Sequence, residues 1–379
     1  MISYELVLSS AILLVIMLTG NLNLTENIEA QRAVWLILPL FVIFIIFFIG
    51  SIAETNRAPF DLAEAKITDL LAESLSLKPY WITGFTDAVL RSKHGCFTVK
   101  LFKDAKAKLG WRVQLVFQIK LNARDFVILL RIKNYFNVGH VRRVNDNIIS
   151  YTVTNLKDLV KVIIPHFENY PLLTQKWADY QLFKSITLLV LAKEHFTHEG
   201  FLKILGLRYY LNQGISEELI LNFKNIVPVV RPIVPVIDII KDWLIGFVDG
   251  EGCFYINIVK SEKGYKVWLL FQITQHIRDT ELFERIAFYF NCGSVKIRGK
   301  DLYAVDFELT KFENINNIIA CAAAHPFFNL NSLQSSKSED FKLFCEAAHI
   351  INSKQTRSWD IEDINKLSAI KEKMNKYVY

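Results

Sequence analysis

The apolar positions of this chain change their period along its length. Residues 33–53, AVWLILPLFVIFIIFFIGSIA, carry no charge over 21 positions, about the length that spans a bilayer core. Leu6–Gly20 is a shorter apolar run interrupted by Ser9 and Ser10. Together they predict one or two transmembrane helices. A signal peptide fits poorly, because no positive charge precedes the first run and the longer run lies far inside. Beyond residue 78 the pattern switches. A short apolar helix is expected over 81–88. Two period-two strands follow, with Phe97, Val99 and Leu101 facing inward, then Val113, Leu115, Phe117 and Ile119. A helix over about 124–136 comes next, then a second hairpin opening at Gly139, then further helices. The order then recurs: a helix over 243–250, strands with Phe254, Ile256 and Ile258, then Val267, Leu269, Phe271 and Ile273, a helix over about 278–290, and a hairpin at Gly293.

Residue identities recur with the periods. Gly84-Phe85 returns as Gly246-Phe247 at an offset of 162, and Gly95-Cys96-Phe97 as Gly252-Cys253-Phe254 at 157. An offset of 154 maps Phe117-Gln118-Ile119 onto Phe271-Gln272-Ile273, Arg124-Asp125 onto Arg278-Asp279, and Tyr135-Phe136-Asn137 onto Tyr289-Phe290-Asn291. Small drifts in one order mean a duplicated domain and not a short-period solenoid. The expected organisation is a membrane-spanning head over 1–65, a first α+β repeat over 66–210, a linker over 211–242 and a second repeat over 243–379. Pro228, Pro232 and Pro235 predict an extended strap in the linker.

Charge sharpens this division. Residues 1–65 hold two basic and six acidic residues, a net of −4, while the remaining 42 basic and 32 acidic residues give the body +10. Such a body suits a polyanionic partner. The strand positions that alternate with the core are Thr98, Lys100, Arg112, Gln114, Gln118 and Lys120, then Tyr255, Asn257, Lys266, Trp268 and Gln272. Two donor-rich sheet faces on a basic body point to nucleic acid, because β-ribbons can present side chains to base edges in the major groove. Five cysteines without a C-x-x-C pair suit neither a disulfide framework nor a cysteine-rich zinc site. His195 and His198 beside Glu199 lack a third ligand in view, so a solvated helix or loop is the better reading.

The decapeptide Trp243 to Gly252, WLIGFVDGEG, is the most informative segment. Gly246 and Gly250 lie four apart on one helix face, and Gly84 and Ala88 repeat that spacing. Two such helices can approach closely and form the interface between repeats. Glu251 falls at a helix C-terminus, where unpaired carbonyls already make the field negative. A carboxylate there calls for a cation. The expected site is a divalent metal on Glu251 and the Gly250 carbonyl, with water and phosphate completing hard oxygen coordination.

Two family resemblances rest on these residues. The apolar head with ETNRAPFDLAEA over 54–65 closely resembles mitochondrially encoded NADH dehydrogenase subunit 1, and the resemblance stops at Lys66. A respiratory exon fragment running in frame into a basic body is the arrangement of an intron-encoded mitochondrial protein. That body, with the paired stretches YPLLTQK (170–176) and NSLQSSK (331–337), resembles a monomeric two-repeat LAGLIDADG homing endonuclease. The resemblance implies two pseudo-symmetric αββαββα halves forming a saddle over double-stranded DNA at an exon junction. It implies Mg²⁺ as the divalent metal, Glu251 as the metal-binding acid, Gln118 and Gln272 as residues ordering water near the cut, and Lys176 and Lys337 as phosphate-steadying cations. Membrane association would come through residues 1–65 alone.

The first copy departs from the family pattern. After Asp87-Ala88 the chain reads Val89-Leu90-Arg91-Ser92-Lys93-His94-Gly95, six residues where one acid belongs. Counting forward gives Val89 and counting back gives His94; neither is a carboxylate. Either cleavage proceeds with one acid, as nicking or slow double-strand cutting, or duplex cleavage is lost. The alternative function on the same fold is a group I intron maturase, binding its own intron RNA.

Overall fold

A computed structural model describes residues 77–89, 96–211, 214–262, 264–299, 303–318, 333–354 and 359–374, with Ile45 and Phe328. The chain divides into Met1–Leu75 and Ser76–Tyr379. The expected membrane spans, Ile45 apart, and the extra residues 90–95 of the first motif lie outside the described residues. Among the described residues no helix is long and apolar enough to cross a membrane.

The first repeat opens with α1, Pro79–Ala88, begun by a proline whose fixed φ suits a first turn. Strands β1 (Phe97–Lys103) and β2 (Trp111–Asn122) follow, then α2 (Phe126–Phe136), β3 (His140–Asn145) and β4 (Ile148–Val153). Helices α3 (Ile164–Asn169), α4 (Lys176–Leu191) and α5 (His198–Arg208) complete it, and α6 (Glu217–Asn222) follows. The second repeat runs α7 (Lys241–Glu251), β5 (Gly252–Ser261), β6 (Gly264–His276), α8 (Thr280–Phe290), β7 (Ser294–Ile297), β8 (Ala304–Leu309), α9 (Phe312–Ile318), α10 (Lys337–Ser353) and α11 (Ile361–Lys373). Each repeat holds one antiparallel four-stranded sheet, ordered β1-β2-β4-β3 and β5-β6-β8-β7. The αββαββα order is the expected α+β architecture.

Local chemistry explains the recurring segments. Asn137 and Asn291 both end their helices at φ 52°, the left-handed cap that asparagine tolerates well. The alternation expected of the strands puts Phe97, Val99, Leu115, Phe117 and Ile119 in the core, as it does Phe254, Ile256, Leu269, Phe271 and Ile273. One continuous core runs through both repeats. A smaller cluster of Phe201, Leu205, Leu219 and Phe223 packs on the β1–β2 hairpin through Leu101 and Val113.

The linker differs from its expectation. Helix α6 lies inside it, because Ser216 caps Leu219 and Glu217 and Glu218 fill the first turn. Residues 224–240, which hold all three prolines, are without regular structure.

Candidate nuclease site between the repeats

Helices α1 and α7 cross at glycines. A Cβ on Gly84 would lie 1.9 Å from the Trp243 carbonyl oxygen, and one on Gly246 would lie 2.0 Å from that of Trp81. Only hydrogen fits at either place. Ala88 fills the position facing Gly250, where an added Cβ would come within 2.2 Å of the alanine methyl. Trp81 stacks on Phe85 at 4.8 Å and 14°, and Trp243 on Phe247 at 4.7 Å and 15°. The four positions Gly84, Ala88, Gly246 and Gly250 thus meet at one interface.

Below the crossing lie two buried carboxylates. Asp87 accepts from Trp243 Nε1 at 2.9 Å, from Leu173 N at 2.7 Å and from Thr174 Oγ1 at 2.5 Å. Asp249 accepts from Trp81 Nε1 at 3.2 Å, from Gln334 N at 2.5 Å and from the Ser335 hydroxyl. Each tryptophan therefore bonds the acid of the other repeat. Burial pushes both carboxyls above the ordinary range, and these donors pull the other way. Asp87 is consumed by these bonds, so it cannot stand in for the missing first-motif acid.

A second reciprocal pair pins the adjoining loops. Asp279 accepts from Gln175 N at 2.7 Å, and Asp125 from Ser336 N at 3.0 Å. The first bond joins the second repeat to the first; the second does the reverse. Burial pushes the Asp279 carboxyl up to about 6. The Arg-Asp dipeptide recurs at an offset of 154, and this recurrence was the available signal for a role that sequence reasoning did not assign.

The pinned loops deliver the two lysines. Lys176 Nζ donates to the carbonyls of Thr86 at 2.8 Å and Val89 at 2.7 Å, at the C-terminus of α1. Lys337 Nζ donates to the Gly250 carbonyl at 2.6 Å, at the C-terminus of α7. A cation is favourable at such an end. Glu251, half-buried, is the last residue of α7.

The Gly250 carbonyl, expected as a metal ligand, accepts from Lys337 Nζ with one of its two lone pairs. The expected donors are therefore Glu251 and that carbonyl, with phosphate and water oxygens. One carboxylate plus substrate phosphates is a donor set that a hard, hydrated cation such as Mg²⁺ uses, so the second repeat fits the metal. The end of α1 does not: 89–95 contains no acid, and Lys176 holds the carbonyls. Among the described residues no cluster of three His, Cys, Asp or Glu could hold a metal; His195 sits in a turn against Phe196, and His198 stacks on Phe223.

The sheet faces present most of the expected readers. Lys100, Arg112, Lys266 and Trp268 are exposed, and Gln114, Lys120, Tyr255 and Asn257 are half-buried. Thr98 is the correction. It is 5% exposed, paired in register with buried Val116, so the inner end of β1 is closed to a ligand. Arg112 is tied to Asp104 at 2.5 Å and lies over the Phe102 ring. Gln118 Nε2 donates to Ser150 at 2.7 Å and Thr152 at 3.1 Å, and Gln272 Nε2 donates to Glu308 at 3.4 Å.

Comparison with known proteins agrees with this arrangement. The meganuclease I-SmaMI bound to uncleavable DNA is 34% identical, with a TM-score of 0.73 over 80% of this chain and 100% of that one. A further structure holds I-SmaMI on an uncleaved DNA target in the presence of calcium ions. Among curated relatives, probable intron-encoded endonuclease 2 of Neurospora crassa is 38% identical over 292 residues, 74% of this chain and 61% of the relative. NADH-ubiquinone oxidoreductase chain 1 of Podospora anserina is 80% identical over 66 residues, 17% of this chain and 18% of the relative. The chain thus spans about six-tenths of the first relative's length and under a fifth of the second's. Residues 1–72 match the NADH dehydrogenase family, and residues 82–187 and 244–348 each match the LAGLIDADG endonuclease model. With most of both motif helices, both sheets and both lysine loops inside those two matches, the chain belongs to the LAGLIDADG endonuclease family.

Proposed function

We propose that this chain is a mitochondrial, intron-encoded DNA endonuclease that grips an exon-junction duplex along its two sheet faces and cleaves with one competent acid, Glu251. The observation that carries this reading is the convergence of Glu251, Lys337 and Lys176 at the ends of two helices that meet backbone to backbone. The DNA-bound meganuclease and the intron-encoded relative support it. The respiratory-chain segment at the head supports the mitochondrial setting.

Glu251 would hold the divalent cation, which supplies Lewis-acid stabilisation of charge developing on the phosphate. The chain's own groups do the rest. Each ammonium has three N–H donors. Lys176 spends two on carbonyls and keeps one for a phosphate oxygen; Lys337 uses one and keeps two. Gln118 and Gln272 donate their amide nitrogens to the sheet, which leaves each Oε1 to accept from water beside the cut. Fixed donors of this kind stabilise a transition state without reorganising during it. With no acid at the end of α1, one strand is cut faster than the other.

The test is incubation of the purified full-length chain, in detergent, with a plasmid bearing the intron-less exon junction and Mg²⁺. Site-specific nicking followed by slow linearisation is expected. No cleavage at any Mg²⁺ concentration, together with selective binding of the intron RNA, would replace this reading with the maturase.

A further inference from the structure

The open face of the second sheet carries a cluster that the cleavage chemistry leaves unused. Arg298, one residue beyond β7, donates Nε to a carboxylate oxygen of Asp306. Thr274 donates to the other oxygen at 2.7 Å, and Arg298 Nη2 reaches Thr274 Oγ1 at 3.3 Å. Asp306 is 3% exposed, whereas the arginine side chain is 41% exposed. A buried acid thus holds an exposed guanidinium by one edge.

This geometry does three things to the arginine. It is ordered before any ligand arrives, so little rotamer entropy remains to be lost on binding. Two of its five N–H donors are engaged, which leaves the terminal pair on Nη1 and Nη2 as a fork. Finally, Asp306 neutralises its charge. A neutralised arginine has little attraction for a phosphate but keeps its directional donors, and that combination favours a base edge over the backbone. Guanine offers two adjacent acceptors, O6 and N7, in the major groove, while adenine puts a donor beside its N7.

The first sheet does not repeat the arrangement. Ser150 and Thr152 stand where the second sheet has Asp306 and Glu308, by their pairing with Gln118 and its neighbours and with Gln272 and its neighbours. No ion pair joins Lys100, Lys120 or Arg142 to an acid among the described residues. We infer that Arg298, buttressed by Asp306 and Thr274, reads one guanine in the half-site under the second sheet. This rests on the DNA-binding reading above.

The experiment is selection of bound duplexes from a library randomised at each position of the target, using the full-length chain. The unmodified chain should require guanine at one position of the second half-site. Arg298→Ala and Arg298→Lys should each reduce that preference about tenfold and leave the other positions unchanged. Asp306→Asn, nearly isosteric, should weaken the same preference yet strengthen binding to random DNA, because it uncovers a charge. A structural role for the pair would not produce that opposition. An unaltered profile in both Arg298 variants, or a uniform loss across all positions, would overturn the inference while leaving the DNA reading intact. No preference at any position in the unmodified chain would overturn both.

Discussion

Helix α1 ends at Ala88 with Lys176 on the carbonyls of Thr86 and Val89, while α7 ends at Glu251 with Lys337 on the carbonyl of Gly250. Much around these ends is duplicated: the glycine crossing, the exchanged tryptophan–carboxylate bonds and the pinned lysine loops. The acid is not. A lysine satisfies the last carbonyls whether or not a carboxylate follows, so the helix end folds without its chemistry. A motif can therefore lose function here without loss of stability.

Breaking the surviving end should have the largest effect. Glu251→Gln should lower cleavage of the exon-junction duplex at least about 100-fold, since the cation that Glu251 would hold under this proposal is worth several kcal/mol at the transition state. Both strands' cutting rates, measured by nicked and linear plasmid, check this. Repairing the other end is the converse. Removing residues 90–94 with Val89→Glu places a carboxylate before Gly95 and should raise linearisation by about ten- to a hundredfold. Efficient linearisation by the unmodified chain would mean that another acid already serves the first site.

The shared crossing can be tested by Gly246→Ala. Its methyl meets the Trp81 carbonyl, and overpacking of this kind costs about 1–3 kcal/mol. Calorimetry should show a fall in Tm of several degrees. Asp279→Asn bears on the loop bonds through pH. An acid whose folded pKa is raised binds more protons folded than unfolded between about pH 4 and 6, so stability falls as pH rises through that window. The variant keeps an acceptor for Gln175 N and no longer titrates. It should therefore be the more stable protein at pH 7, by up to about 2–3 kcal/mol, with the difference closing by about pH 4.

The two sheets give the smallest effect. Lys120→Ala should reduce the salt dependence of DNA binding by about one counterion, since no acid pairs with that lysine among the described residues. Lys296→Ala should change it less, because Lys296 is bonded to Glu308 at 2.6 Å.

Period and recurrence made the strands, the motif helices and the four crossing positions legible, since each is fixed by burial on one face. Other features were not. Alternation says which face Thr98 occupies but not that this end of the face is closed. Helix propensity at Ser216-Glu217-Glu218 was outweighed by prolines that lie farther along the strap. The cross-repeat bonds of Asp125 and Asp279 run to backbone N–H groups, which carry no residue signature. The reach of Lys337 to the Gly250 carbonyl depends on a flexible side chain that no spacing encodes.

The glycine crossing also bears on ancestry. Gly84 rests on the carbonyl of Trp243, and Gly246 on that of Trp81, which is Trp243's counterpart. The joint is therefore indifferent to which repeat supplies which helix. Two copies of the second repeat would meet through the same pair of contacts, and halves traded between related genes would still dock. Recombination can thus change what either sheet recognises without redesigning the hinge between them, and such a chimera inherits its fold from the seam and its target from its parents.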